Sequence, residues 1–162
     1  TRLPKAMLLW YLEEVYLRNK LRDPGGLEMD GQKIDISRIT APMFVLATKD
    51  DHIAPWTSIY PATQILTGDV EFVLGGSGHI AGVINPPGKR QKYGYRTAQS
   101  YPAAPEAFLA ESVAHEGSWW PHWSAWLADK SGARGPARKV ATQGRYAAIE
   151  PAPGRFVTAV PE

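Results

Sequence analysis

The sequence predicts an α/β fold, and two observations carry that prediction. Met43-Phe44-Val45-Leu46-Ala47 is a short continuous apolar run and Val70-Glu71-Phe72-Val73-Leu74 reads as a second short strand, each stopping abruptly at polar or glycine residues. Between them, residues 56–66 (WTSIYPATQIL) read as a helix, with Pro61 placed to kink or split it. Strand, helix and strand within about 35 residues form a βαβ unit, whose strands lie parallel with a right-handed crossover.

The other segments follow in chain order. Residues 3–21 read as an amphipathic helix: Leu8, Leu12, Val15 and Tyr16 keep roughly helical spacing, and Glu14 with Arg18 makes an i, i+4 pair. Asp23-Pro24-Gly25-Gly26 stops it. Residues 27–37 alternate around Asp30-Gly31, a hairpin signal, and read as a surface excursion packing Leu27, Met29, Ile34 and Ile36. Residues 84–105, rich in Pro, Gly, Lys, Arg and Tyr, read as a long loop. Pro105 to His115 reads as a helix with Pro105 in its first turn, and a second helix starts at Ser118-Trp119-Trp120 and runs to about Lys130. Residues 131–138 read as a linker and the end (RYAAIEPAPGRFV) as a partly apolar segment packed in extended form.

Composition narrows the function classes. The chain has 162 residues, 44% of them hydrophobic, which suffices for a core and excludes wholesale disorder. A net charge of +2 gives no electrostatic case for nucleic acid. No stretch approaches the roughly 18 to 20 apolar residues of a membrane helix. The absence of cysteine excludes a disulfide framework, a Cys-ligated zinc site, an Fe–S cluster and a cysteine nucleophile within these residues. The first residue is Thr1, not methionine.

Chemistry concentrates at the two strand ends. In parallel α/β sheets, functional side chains gather beyond the carboxyl ends of the strands. One end carries Asp50-Asp51-His52 and the other Gly78-His79. A carboxylate and then a histidine, on loops after consecutive strands, match the order in which a nucleophile–His–Asp triad presents its acid and base. The imidazole takes the nucleophile's proton; the carboxylate fixes its tautomer. An aspartate alone after a strand is as readily a turn cap, and a histidine alone is more often structural. A metal site of Asp51, His52 and His79 is a weaker alternative, lacking helical ligand spacing. His115 and His122 lie among tryptophans and read as structural. The six tryptophans read as packing helices on the sheet, with Trp119-Trp120 as an alternative lining for a substrate or partner surface. Gly76-Ser77-Gly78 is not a nucleophile elbow, since it abuts His79 and breaks the required spacing.

Several stretches resemble the C-terminal part of the class I polyhydroxyalkanoate synthases: WYLEEVYLRNKLRDPGGL at 10–27, ITAPMFVLATKDDHIAPW at 39–56, DVEFVLGGSGHIAGVINPP at 69–87, HEGSWWPHWSAWLA at 115–128 and RYAAIEPAPGRFV at 145–157. Residues 88–104 and 131–144 resemble that family least. The resemblance implies the last strands and helices of an α/β-hydrolase fold, without the half that bears the nucleophile elbow. It implies residues 1–38 as the end of a cap-like region, 39–130 as the C-terminal part of the catalytic domain, and 131–162 as linker and tail.

The family transfers (R)-3-hydroxyacyl groups from coenzyme A to a growing polyester through a Cys–His–Asp triad. By motif, its aspartate falls on Asp51 and its histidine on His79; its cysteine falls on a preceding segment. The resemblance leaves open whether Asp51 orients His79 or activates the substrate hydroxyl. His52 is expected to support Asp51 by hydrogen bonding, and Asp50 to be a solvated turn residue. No cofactor and no metal are implied. Implied partners are the (R)-3-hydroxyacyl-CoA substrate, the polyester chain, a second copy in a homodimer and the granule surface, in the cytoplasm. The alternatives are an esterase or depolymerase with a serine nucleophile upstream, and a non-catalytic module binding polyester through its aromatic surface. Alone, these residues are expected to be inactive, and to fold poorly because two strands leave a sheet edge bare.

Overall fold

The computed structural model describes residues 2–89 and 92–159. By its contacts the chain divides into two compact units, Thr1–Ala128 and Asp129–Glu162.

The first unit is a mixed α/β arrangement. Its main sheet has four strands in the order β3-β4-β5-β6, where β3 is Met43–Thr48, β4 Val70–Gly75, β5 Tyr95–Thr97 and β6 Val113–His115. A separate hairpin, β1 (Leu27–Met29) with β2 (Gln32–Ile34), precedes it. β3 and β4 pair in parallel without interruption from Met43 opposite Val70 to Thr48 opposite Gly75, as the two apolar runs predict. Pro61 divides the connecting helix into α2 (Trp56–Ile59) and α3 (Ala62–Ile65). A proline ring cannot donate to the preceding turn, so the ladder breaks there.

β5 and β6 correct the expectation of a loop over 84–105 and a helix running to His115. The helix α4 (Pro105–Glu111) stops short of that, and Val113–His115 then pairs antiparallel with Tyr95–Thr97. Each strand has three residues, too short for a period to show. The sheet therefore has four strands rather than two. The β4–β5 ladder spans only Leu74–Arg96 and Gly75–Tyr95. Beyond it, the Tyr101 hydroxyl accepts the Phe72 N–H at 2.9 Å and closes the gap.

The sheet is covered on both faces. On one, Ala47, Phe72 and Leu74 meet Tyr60 and Phe108 of the helical connections, and all five are buried. Ring pairs 5.1–5.2 Å apart (Phe72–Phe108, Tyr60–Phe72) give this core its edge-on aromatic packing. On the other face, Phe44 meets Trp119 at 6.1 Å and Trp126 of α5 (Trp120–Ser131) at 5.5 Å. The reading of tryptophans as packing residues holds for Trp56, Trp119 and Trp126, whereas Trp10 and Trp123 are exposed.

The N-terminal segment is helical but not uniform. α1 (Lys5–Trp10) runs into a wider π-helical turn over Tyr11–Leu17, where Arg18 N–H reaches back five residues to Glu13 O. Arg18 bonds Glu14 at 2.9 Å, as its spacing predicts, and also Glu13 at 2.6 Å. Neither stretch buries a side chain, so the apolar stripe read in the sequence is not a packed face among the described residues. In the hairpin, Asp30 and Gly31 both take positive φ (49° and 72°), the turn that its right-handed twist requires. Leu27 is buried there while Met29 is exposed, against the expectation that both pack.

In the second unit, Glu150 accepts from the Arg155 backbone and side chain at 3.0 and 3.1 Å. Ile149 and Phe156 are about nine-tenths exposed, which corrects the expectation of a packed tail. Residues 90–91 within the expected loop and 160–162 of the expected tail lie outside the described residues. Among the described residues no helix is long and apolar enough to cross a membrane.

Candidate active site

Parallel pairing in register delivers the chain after β3 and the chain after β4 side by side. Main-chain bonds continue past both strand ends: Lys49 N–H donates to Gly75 O at 2.9 Å and Asp50 N–H to Ser77 O at 3.0 Å. Ser77 reaches that geometry with φ of +67°, a left-handed conformation uncommon for a residue with a Cβ.

Asp51 and His79 meet across this junction. His79 Nδ1 lies 2.8 Å from Asp51 Oδ2. The other oxygen, Oδ1, accepts the Ile53 and Ala54 amides, each at 2.9 Å. The buried Thr48 hydroxyl donates to Oδ2 at 3.4 Å. Asp51's side chain is 6% exposed and that of His79 47%. The Ala54 amide, then the His79 and Ile53 hydrogen bonds, outweigh desolvation and hold the Asp51 carboxyl below its ordinary 3.8, at about 2. In the neutral form of the ring, an acceptor-only carboxylate makes Nδ1 the protonated nitrogen and leaves Nε2 as a lone-pair acceptor. Nε2 has no hydrogen-bond partner among the described residues. Such an arrangement can act as a base, with its tautomer fixed and its accepting nitrogen open.

The remaining candidates separate from this pair. His52 is exposed and makes no hydrogen bond to Asp51; the supporting contacts come instead from Thr48 and two backbone amides. Consecutive side chains leave a turn in different directions, so adjacency in sequence did not bring contact. Asp50 is exposed, its backbone tied to Ser77. His115 stacks on Tyr95 at 4.7 Å and bonds Thr97 Oγ1 at 2.8 Å. His122 bonds Glu71 at 2.6 Å beneath α5, tying helix to sheet. Among the described residues no three His, Cys, Asp or Glu side chains converge as metal ligands would. Thr48 and the two amides were missed in the sequence. The signal for the amides was present: an aspartate opening a turn commonly accepts N–H groups two and three residues on.

Fold and site together define a mixed α/β protein bearing an aspartate–histidine pair at adjacent parallel strand ends. No family model matches the chain. Curated relatives do. The chain is 46% identical over 159 residues to the poly(3-hydroxyalkanoate) polymerase subunit PhaC of Cupriavidus necator, covering 98% of this chain and 27% of that protein. It is 41% identical to the poly(3-hydroxyalkanoate) polymerase of Methylorubrum extorquens over 97% of this chain and 26% of that protein. It is 39% identical to poly(3-hydroxyalkanoate) polymerase 2 of Ectopseudomonas oleovorans, over 97% and 28%. The chain is thus a homologue of the poly(3-hydroxyalkanoate) polymerases, and it spans about a quarter of the length of the relatives it matches.

Proposed function

We propose that these residues supply the base and its carboxylate to an acyl-transfer site. The whole protein would be a polymerase moving (R)-3-hydroxyacyl groups from coenzyme A to a polyhydroxyalkanoate chain. The 2.8 Å contact between His79 Nδ1 and Asp51 carries the reading. The relatives' names, all polymerases of this polyester, select the reaction. The short parallel strands and the order acid-then-histidine also support an α/β-hydrolase architecture for the whole protein.

In this mechanism His79 Nε2 takes the proton of a cysteine thiol lying outside these 162 residues, which contain no cysteine. The thiolate attacks the thioester carbonyl, the carbon–sulfur bond to coenzyme A breaks, and the imidazolium returns its proton to the departing thiolate. A hydroxyl of the acyl unit or polymer, deprotonated by the same nitrogen, then attacks the acyl-cysteine and regenerates the thiol. Asp51 keeps the proton on Nδ1 throughout and stabilises the imidazolium as it forms.

The test uses the full-length protein. His79→Gln should lower thiol release from an (R)-3-hydroxyacyl-CoA by about 10²–10⁴-fold, the usual yield of general-base catalysis. Asp51→Asn should lose activity in the same direction. Unchanged turnover in His79→Gln would sink the reading.

A further inference from the structure

The turn that bears His79 is held from behind by two consecutive tryptophans. Residues 78–84 wind helically: Gly82 N–H donates to Gly78 O at 2.9 Å and Ile84 N–H to Ile80 O at 2.8 Å. The last carbonyls of such a turn lack the usual N–H four residues on; Asn85 N–H reaches Val83 O at 3.1 Å, and no later backbone N–H among the described residues reaches Gly82 O. The Trp119 indole N–H donates to Gly82 O at 3.0 Å, and the Trp120 indole N–H donates to Val83 O at 3.0 Å. Adjacent side chains thus bond adjacent carbonyls, the Trp120 indole sharing Val83 O with the Asn85 amide.

Both ends of this clamp are fixed. Trp119 is 9% exposed and packs on Phe44 of β3, the strand that leads to Asp51. Trp120 N–H donates to Ser118 Oγ at 3.1 Å, which sets the entry into α5. On the turn side, Gly82 is pressed against the strand ends: a Cβ there would stand 2.5 Å from Gly76 O and 2.5 Å from Thr48 Cγ2. Beyond it, the buried Asn85 amide donates to Tyr93 O at 3.0 Å. Two indole N–H groups therefore bond the end of the turn whose first residues include His79.

We propose that Trp119 and Trp120 are positioning residues for His79, holding its Nδ1 on Asp51 and its Nε2 toward the reacting thiol. This rests on the reading of His79 as the base. The indoles act through the backbone carbonyls of residues 82 and 83 and need not touch substrate. A misplacement of the base near 1 Å is costly because proton transfer needs a short, aligned contact.

Trp120→Phe in the full-length protein removes the donor and keeps a ring; Trp120 is only partly buried, so the fold should persist. We expect kcat to fall by about tenfold or more with KM nearly unchanged. We also expect faster backbone hydrogen exchange in a peptide covering residues 78–85. In a His79→Gln background, Trp120→Phe should cost little further, since both changes disable one group. Trp119→Phe should act in the same direction and more strongly. An unchanged kcat in Trp120→Phe, a loss confined to KM, or an equal loss with and without His79 would each overturn the proposal. If His79→Gln leaves turnover intact, the base reading is what fails. Exchange in residues 78–85 then still decides whether the indoles hold the turn.

Discussion

At the scale of single residues, Asp51 is the most heavily engaged side chain of the site. One oxygen serves the Ile53 and Ala54 amides and the other serves His79 and Thr48. These donors favour the carboxylate, so folding lowers its proton affinity to about 2 from an ordinary 3.8. Its contribution to stability is therefore complete above its unfolded value and is lost as pH falls from about 4 toward about 2. In thermal melts, the gap between the native protein and Asp51→Asn should narrow across that window and stay constant above it. A gap that persists unchanged in acid would contradict this account. Asp51 and His79 were legible as a pair because each follows a short stretch that reads as a strand. Thr48 was not, because its hydroxyl reaches Asp51 only after the chain has turned.

At the scale of elements, the βαβ unit was readable and the two added strands were not. Five-residue stretches made mostly of apolar residues announce themselves, whereas Tyr95-Arg96-Thr97 and Val113-Ala114-His115 become strands only by pairing with each other and with the end of β4. The short ladder leaves the Phe72 N–H to the Tyr101 hydroxyl. Tyr101→Phe should therefore destabilise the protein by about 1–3 kcal/mol, the cost of an orphaned buried donor, read as a lower denaturant midpoint with an unchanged slope. Stability equal to the parent's would show that water or a shifted backbone takes the hydroxyl's place. The N-terminal helix shows the opposite limit. Its apolar spacing was plain, but spacing states only that a face could be buried, and here no side chain of it is.

At the scale of the whole molecule, the two units differ in what supports them. Thr1–Ala128 contains the sheet and both of its aromatic faces, whereas residues 132–145 are exposed throughout and form neither helix nor strand. Limited trypsin treatment should cut first after Arg134, Arg138 or Lys139, since cleavage requires an extended, accessible backbone. First cuts at Lys49 or Arg96, within the sheet region, would overturn that picture.

Legible in the residues were the α/β class, the parallel strand pair, the break at Pro61, the hairpin turn, and Asp51 and His79 as the candidate acid and base. All of these follow from local rules of period, ring geometry, backbone freedom and position at a strand end. That His79 meets Asp51 through Nδ1, and that His52 does not join them, emerges only from the folded chain. It alone revealed the two short strands, and two tryptophans more than 30 residues away bonded to the turn behind His79. Those contacts are long-range hydrogen bonds. They depend on where a side chain's donor arrives after the whole sheet has closed, which no local pattern encodes.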